Sequence, residues 1–186
     1  MIFNPHSHLV GEHAFLSASK SSWLRYDEDK LTRVYLAMLA SKRGTDLHNY
    51  AAESIRLGIK LPRSRKSLNA YVNDALGYRM NPEQVLFFSD NIFGTCDAIC
   101  FRDNLLRVHD LKTGISPAGF DQLKIYAAIF CHEYKVNPFD IEFELRIYQS
   151  DEIKILRPDA HDIIQVIDQM KTLDRRLNEM KMEGLG

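Results

Sequence analysis

The sequence predicts an α/β protein with a mixed central sheet, and three observations carry that expectation. Two β-rich runs, about 93–101 and 105–111, flank the turn-prone Arg102-Asp103-Asn104 and read as an antiparallel hairpin. A second alternating run, 141–149, sets Ile141, Phe143, Leu145 and Ile147 against Glu142, Glu144 and Arg146. Around these lie stretches whose apolar residues recur every three or four positions, as in helices packed on one face. The expected order is helices, three strands, a helix, one or two strands and a final helix, with a site at one end of the sheet.

Residues 1–14 read as a polar arm; His6, His8 and His13 fall in it at a spacing that matches no ligand set. A helical section follows over 15–80. Leu16-Ser17-Ala18-Ser19 caps a short helix to about Tyr26, with Trp23 and Leu24 as core. Residues 27–57 read as helical in two pieces broken near Arg43-Gly44. Their stripes are Leu31, Val34, Tyr35, Met38 and Leu39, then Leu47, Tyr50, Ala51 and Ile55. The basic run Lys60-Leu61-Pro62-Arg63-Ser64-Arg65-Lys66 is either an exposed connection or a contact to phosphates. Another helix follows over 67–78. The sheet section occupies 81–157. Its first strand, 84–89, follows Pro82, and Ser116-Pro117 starts a helix to about Tyr134. Ser150-Asp151 turns the chain into a hairpin partner over 153–156. The last helix lies within 158–183, and its stripe of Ile163, Val166, Ile167, Met170, Leu173, Leu177 and Met180 reads as core packing with an outer end open to a partner.

Chemistry concentrates in the hairpin. Residues two apart on a strand project from one face, so Asp110 and Lys112 point together, and Asp97 reaches them from the neighbouring strand. Two carboxylates and an ammonium at a strand end can hold a divalent metal beside an activated water. The bare acid-x-lysine pattern occurs five times, at 28/30, 110/112, 133/135, 152/154 and 179/181, so it discriminates little. Only Asp110/Lys112 ends an apolar strand, follows a Gly-x-x-Asp strand and runs into Thr113-Gly114.

Gly94-Thr95-Cys96-Asp97, then 108–114, then Gln122-Leu123-Lys124-Ile125-Tyr126-Ala127 resemble the PD-(D/E)XK nuclease superfamily. The closest likeness is to its RecB-type domain, the branch that includes the nuclease of CRISPR adaptation and phage exonucleases. Gly44-Thr45-Asp46-Leu47-His48 is similar to the helical Gly-x-x-x-His of that branch. The matches span roughly residues 15 to 170 in order. The resemblance implies a restriction-endonuclease-like αβββαβ core with an added N-terminal helical section. It implies metal-dependent hydrolysis of DNA, as an exonuclease of phage or bacterial recombination, repair or end processing. Asp97, Asp110 and Lys112 would be catalytic. His48, Asp97, Asp110 and the Leu111 carbonyl would ligate Mg2+ or Mn2+. Gln122 and Tyr126 would touch nucleic acid and steady the lysine; by charge rather than by resemblance, Lys60, Arg63, Arg65 and Lys66 are candidate DNA contacts beside them. Glu83 stands where the family's acidic residue before the hairpin often falls, and it reads equally as a solvated turn carboxylate. Many relatives hold an iron–sulfur cluster through one early and three late cysteines; the cysteines here are 96, 100 and 131, so no cluster is expected. With no helicase motif, translocation would come from a recombination or helicase partner. Two other classes stay open: a partner-dependent nucleic-acid-binding module of the same fold, and a metal phosphatase acting on nucleotides.

Composition sets bounds. A length of 186 residues suits one compact domain. The formal net charge of −1 argues against coating nucleic acid by bulk charge, and leaves room for a local basic groove. No apolar run approaches the ~20 residues of a membrane span. The N-terminus lacks a secretion signal, and an odd cysteine count fits reduced thiols, so a cytosol, bacterial or phage-infected, is expected.

Overall fold

The computed structural model describes residues 4–184. They fall into two compact units, one ending at Lys42 and one beginning at Arg43. The first holds 3-10 turns at Ser7–Leu9 and Ser21–Arg25 and the N-terminal part of α1 (Glu28–Arg56), a helix that continues into the second unit. No described residue of the first unit is buried. The helix expected over 16–26 is only the short 3-10 turn. Ser17 and Ser19 bond each other through their hydroxyls, and the Ser17 carbonyl accepts the Trp23 indole N–H at 2.8 Å. Such local bonding competes with helix formation. Leu24, expected in the core, is 71% exposed.

The second unit continues with α2 (Ser67–Gly77), β1 (Asn81–Ser89), β2 (Ile92–Arg102), β3 (Leu105–Lys112), α3 (Asp121–Glu133), β4 (Glu142–Gln149), β5 (Glu152–Leu156) and α4 (Ala160–Met182). The five strands form one sheet in the order β1-β2-β3-β4-β5. Neighbours are antiparallel except β3 and β4, which run parallel and are joined by the crossover helix α3. The sheet is therefore mixed. On one face Leu106, Val108, Leu145 and Ile147 pack with Leu123 and Ala127 of α3 and Ile163 of α4. On the other, Ala98, Cys100, Leu111 and Tyr148 pack with Ala51 and Ile55 of α1 and Tyr71, Val72 and Ala75 of α2. Each fully buried aliphatic side chain contributes roughly 1.5–3 kcal/mol. Cys96, Cys100 and Cys131 are free and buried. Among the described residues no helix is long and apolar enough to cross a membrane.

Three local expectations differ. Helix α1 does not break at Gly44. A helix-interior glycine costs about 1 kcal/mol against alanine and does not end a helix by itself. Gly44 is buried, and a Cβ there would lie 2.8 Å from Thr113 Oγ1, so the residue permits close approach rather than a turn. Pro82 lies inside β1 rather than before it, which the sheet tolerates because β1 is an edge strand. Helix α3 starts at Asp121, not Ser116. Gln149, almost fully buried, accepts the Ala118 N–H at 3.1 Å and donates to the carbonyls of Gly114 and Ser116 at 2.7 and 2.8 Å. Those bonds hold 114–118 outside the helix. In β4 the charged residues Glu144 and Arg146 of the alternation are drawn inward, and Glu144 is 3% exposed. Its carboxylate accepts from Arg107, Arg146 and Arg157, and Arg146 continues to Asp74 at 3.1 Å and to the Tyr78 hydroxyl at 2.9 Å. Burial pushes the Glu144 carboxyl up, but bonds from Arg157 and Arg146 hold it below its usual range.

At the edge, the Phe87 N–H of β1 donates to the Glu133 carboxylate of α3 at 2.9 Å. Helix α4 is capped by Asp159, whose carboxylate accepts the Asp162 N–H at 3.0 Å. It buries Ile163, Ile167 and Met170 and leaves Leu173 and Leu177 of the expected stripe exposed.

Candidate functional site

The ladder between β2 and β3 runs from Arg102↔Leu105 to Ala98↔His109 and ends there. Beyond it the Leu111 N–H donates to the Asp97 carboxylate at 2.9 Å, so a side chain of β2 takes a main-chain donor of β3. The same Asp97 oxygen lies 3.3 Å from His48 Nδ1. His48 stands on α1 one turn after Gly44, and residues four apart share a helix face. The glycine that lets α1 approach Thr113 and the imidazole beside Asp97 therefore act on one surface of one helix.

Glu83 completes this group from β1. Its backbone is left-handed, φ 51°, and it drops out of the β1–β2 ladder between Pro82↔Ala98 and Gln84↔Cys96. A non-glycine residue in that region costs of order 1–3 kcal/mol, a strain that clusters at functional sites. Donor atoms of His48, Glu83 and Asp97 all lie within 4.8 Å of one another, an arrangement that could hold a metal ion.

Asp110 and Lys112 stand beside this trio. Asp110 is buried, and Lys112 Nζ lies 3.0 Å from each of its carboxylate oxygens. Hydrogen-bond geometry is met only at Oδ1, which leaves Oδ2 buried without a hydrogen-bond partner. Lys112 Nζ also donates to Gln122 Oε1 at 2.8 Å. Gln122 Nε2 donates to the Tyr126 hydroxyl at 3.2 Å, and that hydroxyl donates to the Thr95 carbonyl at 2.6 Å. A Cβ at Gly94 would meet Tyr126 Cε1 at 3.2 Å, so the glycine makes room for the ring beside β2. The chain of bonds from Lys112 thus returns to β2 two residues before Asp97.

Electrostatics point the same way. Burial, then the nearby Asp110 carboxylate, pushes the Asp97 carboxyl up to about 6, against relief from the Leu111 N–H and His48. Burial also raises Asp110, opposed by Lys112. Both carboxylates resist ionising because they are desolvated, and Asp97 also because the Asp110 carboxylate stands near it. The donor set fits a divalent cation: the buried Asp110 carboxylate, the half-buried carboxylates of Glu83 and Asp97, and an imidazole. Carboxylate oxygens suit Mg2+ or Mn2+, and the imidazole nitrogen is better matched to Mn2+.

The structure thus brings together His48, Glu83 and Asp97, and links Asp110, Lys112, Gln122 and Tyr126. Asp110 is not a member of the 4.8 Å trio, and the bond shown for Leu111 at the site is made by its N–H. Lys60, Arg63, Arg65 and Lys66 stand exposed on the loop between α1 and α2. Gln149 and the Thr95 carbonyl were not singled out by sequence. Nothing in the local sequence marks Gln149, because its partners at Gly114, Ser116 and Ala118 lie far earlier in the chain. Comparisons of the chain with protein-family models, with curated proteins and with solved structures find no match.

Proposed function

We propose that the chain is a metal-dependent deoxyribonuclease of the PD-(D/E)XK superfamily, RecB-type, hydrolysing DNA phosphodiester bonds. One observation carries it: Lys112, held by Asp110 and Gln122, stands beside the His48–Glu83–Asp97 group at the end of β3. The order α2–β1–β2–β3–α3–β4, with β3 and β4 parallel, supports a restriction-endonuclease-like core.

His48, Glu83, Asp97 and Asp110 are the residues that would hold the cation. A divalent ion there supplies a Lewis acid for the phosphate and acidity for the attacking water. An ammonium has three donors, and two of those on Lys112 are committed to Asp110 and Gln122. The third is left for a phosphate oxygen, where it offsets negative charge that grows as water attacks phosphorus. Gln122 and Tyr126 fix the direction of that donor. Hydrolysis forms one bond from water oxygen to phosphorus and breaks one to the departing sugar oxygen.

The test is cleavage of end-labelled single- and double-stranded DNA with Mn2+, Mg2+ or EDTA, beside Lys112→Ala. Metal-dependent cleavage by the wild type and its loss in a folded Lys112→Ala are expected. Cleavage at the wild-type rate by the variant would falsify the assignment of Lys112, and a folded, metal-loaded wild type that cuts neither form overturns the nuclease.

A further inference from the structure

The loop between α1 and α2 carries Lys60, Arg63, Arg65 and Lys66, all exposed. None of the four forms an ion pair among the described residues. Exposed cations are ordinary; the hold on this backbone is not. Asn73 of α2 accepts the Leu61 N–H and donates to the Leu61 carbonyl, both at 2.9 Å. Asn69 donates to the Pro62 carbonyl at 2.9 Å. Further along, Ser67 and Asp151 exchange two bonds: the Ser67 N–H donates to the Asp151 carboxylate at 3.0 Å, and the Asp151 N–H to the Ser67 hydroxyl at 2.8 Å. The loop is thus pinned near both ends, with a proline between.

Those bonds also place it. Lys112 pairs in register with Gln149, the last residue of β4, and Asp151 lies in the turn that follows. The Ser67–Asp151 exchange therefore sets the basic loop at the same end of the sheet as Lys112. Under the loop opens a cleft of about 280 Å³ whose lining includes Lys60, Arg63 and Asn73.

We propose that this loop is a preorganised track for the phosphodiester backbone of a nucleic-acid polymer, engaging phosphates away from the bond being cut. The proposal rests on the nuclease function above and deepens it. It makes the substrate a polymer rather than a mononucleotide, because a mononucleotide seated at the site has no further phosphate to offer the loop. Such contacts are independent of sequence and depend on salt through counterion release. Fixing the backbone beforehand spares the ordering cost that a flexible basic loop would bear on binding.

The experiment uses the full chain in EDTA with a fluorescent single-stranded oligonucleotide, titrated across a range of salt. Wild type is compared with Lys60→Gln/Arg63→Gln/Arg65→Gln/Lys66→Gln and with Asn73→Ala, which keeps every charge. The quadruple variant should raise Kd roughly tenfold or more and flatten the salt slope by about two to three units. Asn73→Ala should weaken binding severalfold with the slope unchanged. With Mn2+, the quadruple variant should raise KM for DNA and leave turnover of bis(p-nitrophenyl) phosphate, a small diester with no backbone, unaltered. Unchanged Kd and slope in the quadruple variant overturn the track and leave the nuclease standing. Asn73→Ala binding like wild type overturns the preorganisation. If wild type binds the oligonucleotide through the loop yet cleaves neither substrate, the nuclease falls and the track stands.

Discussion

Gly44→Ala tests the geometry that sets α1 against the end of β3. In an exposed helix interior this change stabilises by about 1 kcal/mol, because glycine pays extra backbone entropy. Here the new Cβ would lie 2.8 Å from Thr113 Oγ1, well inside the 3.4 Å where ordinary contact begins. Overpacking of that kind costs roughly 1–3 kcal/mol, so the single variant should be neutral to about 2 kcal/mol less stable. Thr113→Ala removes the offending oxygen, and the next atom, Thr113 Cβ, lies 3.9 Å away. In that background Gly44→Ala should regain its full ~1 kcal/mol, a reversal of sign. For a chain of this size that is about 2–4 °C in Tm. Thermal and denaturant melts of the four proteins give the coupling energy, expected at about 1–3 kcal/mol. Titration with Mn2+ provides a second readout, since displacing α1 should also carry His48 away from Asp97, now 3.3 Å apart. Equal stabilisation by Gly44→Ala in both backgrounds would refute the reasoning.

Two further outcomes follow from buried charge. The Asp97 carboxyl is raised to about 6 in the fold from an ordinary 3.8. A group raised in this way contributes stability below its unfolded value that is lost as pH climbs through its folded one. The metal-free protein should therefore lose on the order of 3 kcal/mol from this carboxyl between about pH 4 and pH 6. Mn2+ should restore stability above that window, and Asp97→Asn should shrink the decline in EDTA melts; an undiminished decline in the variant refutes the assignment. Glu144→Ala should cost roughly 3–5 kcal/mol by stranding the largely buried guanidiniums of Arg107 and Arg146. Arg157→Ala, at a side chain 74% exposed, should cost under about 1 kcal/mol. Urea titrations compare the two, and equal losses would show that burial does not govern this cluster.

The site's central residues were legible because a strand has a period of two. That period put Asp110 and Lys112 on one face from sequence alone, and they stand 3.0 Å apart. The turn at 102–104 and the hairpin it closes were equally plain, because turn chemistry is local. Other features depend on contacts far apart in the chain. Nothing near Gly44 shows that Thr113 will press against it, so a glycine inside a helical pattern reads as a break. Glu144 and Arg146 alternate with apolar residues as on any amphipathic strand, and the partners that draw them inward, Asp74 and Tyr78 for Arg146 and Arg107 and Arg157 for Glu144, lie elsewhere in the chain. Ser116-Pro117 carries the local signal of a helix start, which the distant Gln149 amide overrides. Glu83 had two readings of equal weight until its left-handed backbone placed it with His48 and Asp97.

The edge strand has a consequence for self-association. A free strand edge is a template on which another chain can add, the first step of ordered aggregation. On β1, Pro82 offers no donor, the Phe87 N–H is occupied by Glu133, and the ladder shifts register between Phe87 and Ser89. Each interrupts the unbroken row of donors and acceptors that a guest strand would need. The side chains of Val85 and Phe87 are exposed there, apolar enough to reward such pairing. The strand that brings Glu83 to His48 and Asp97 is thus also blunted against polymerisation, and a few well-placed main-chain interruptions do that work on its open side.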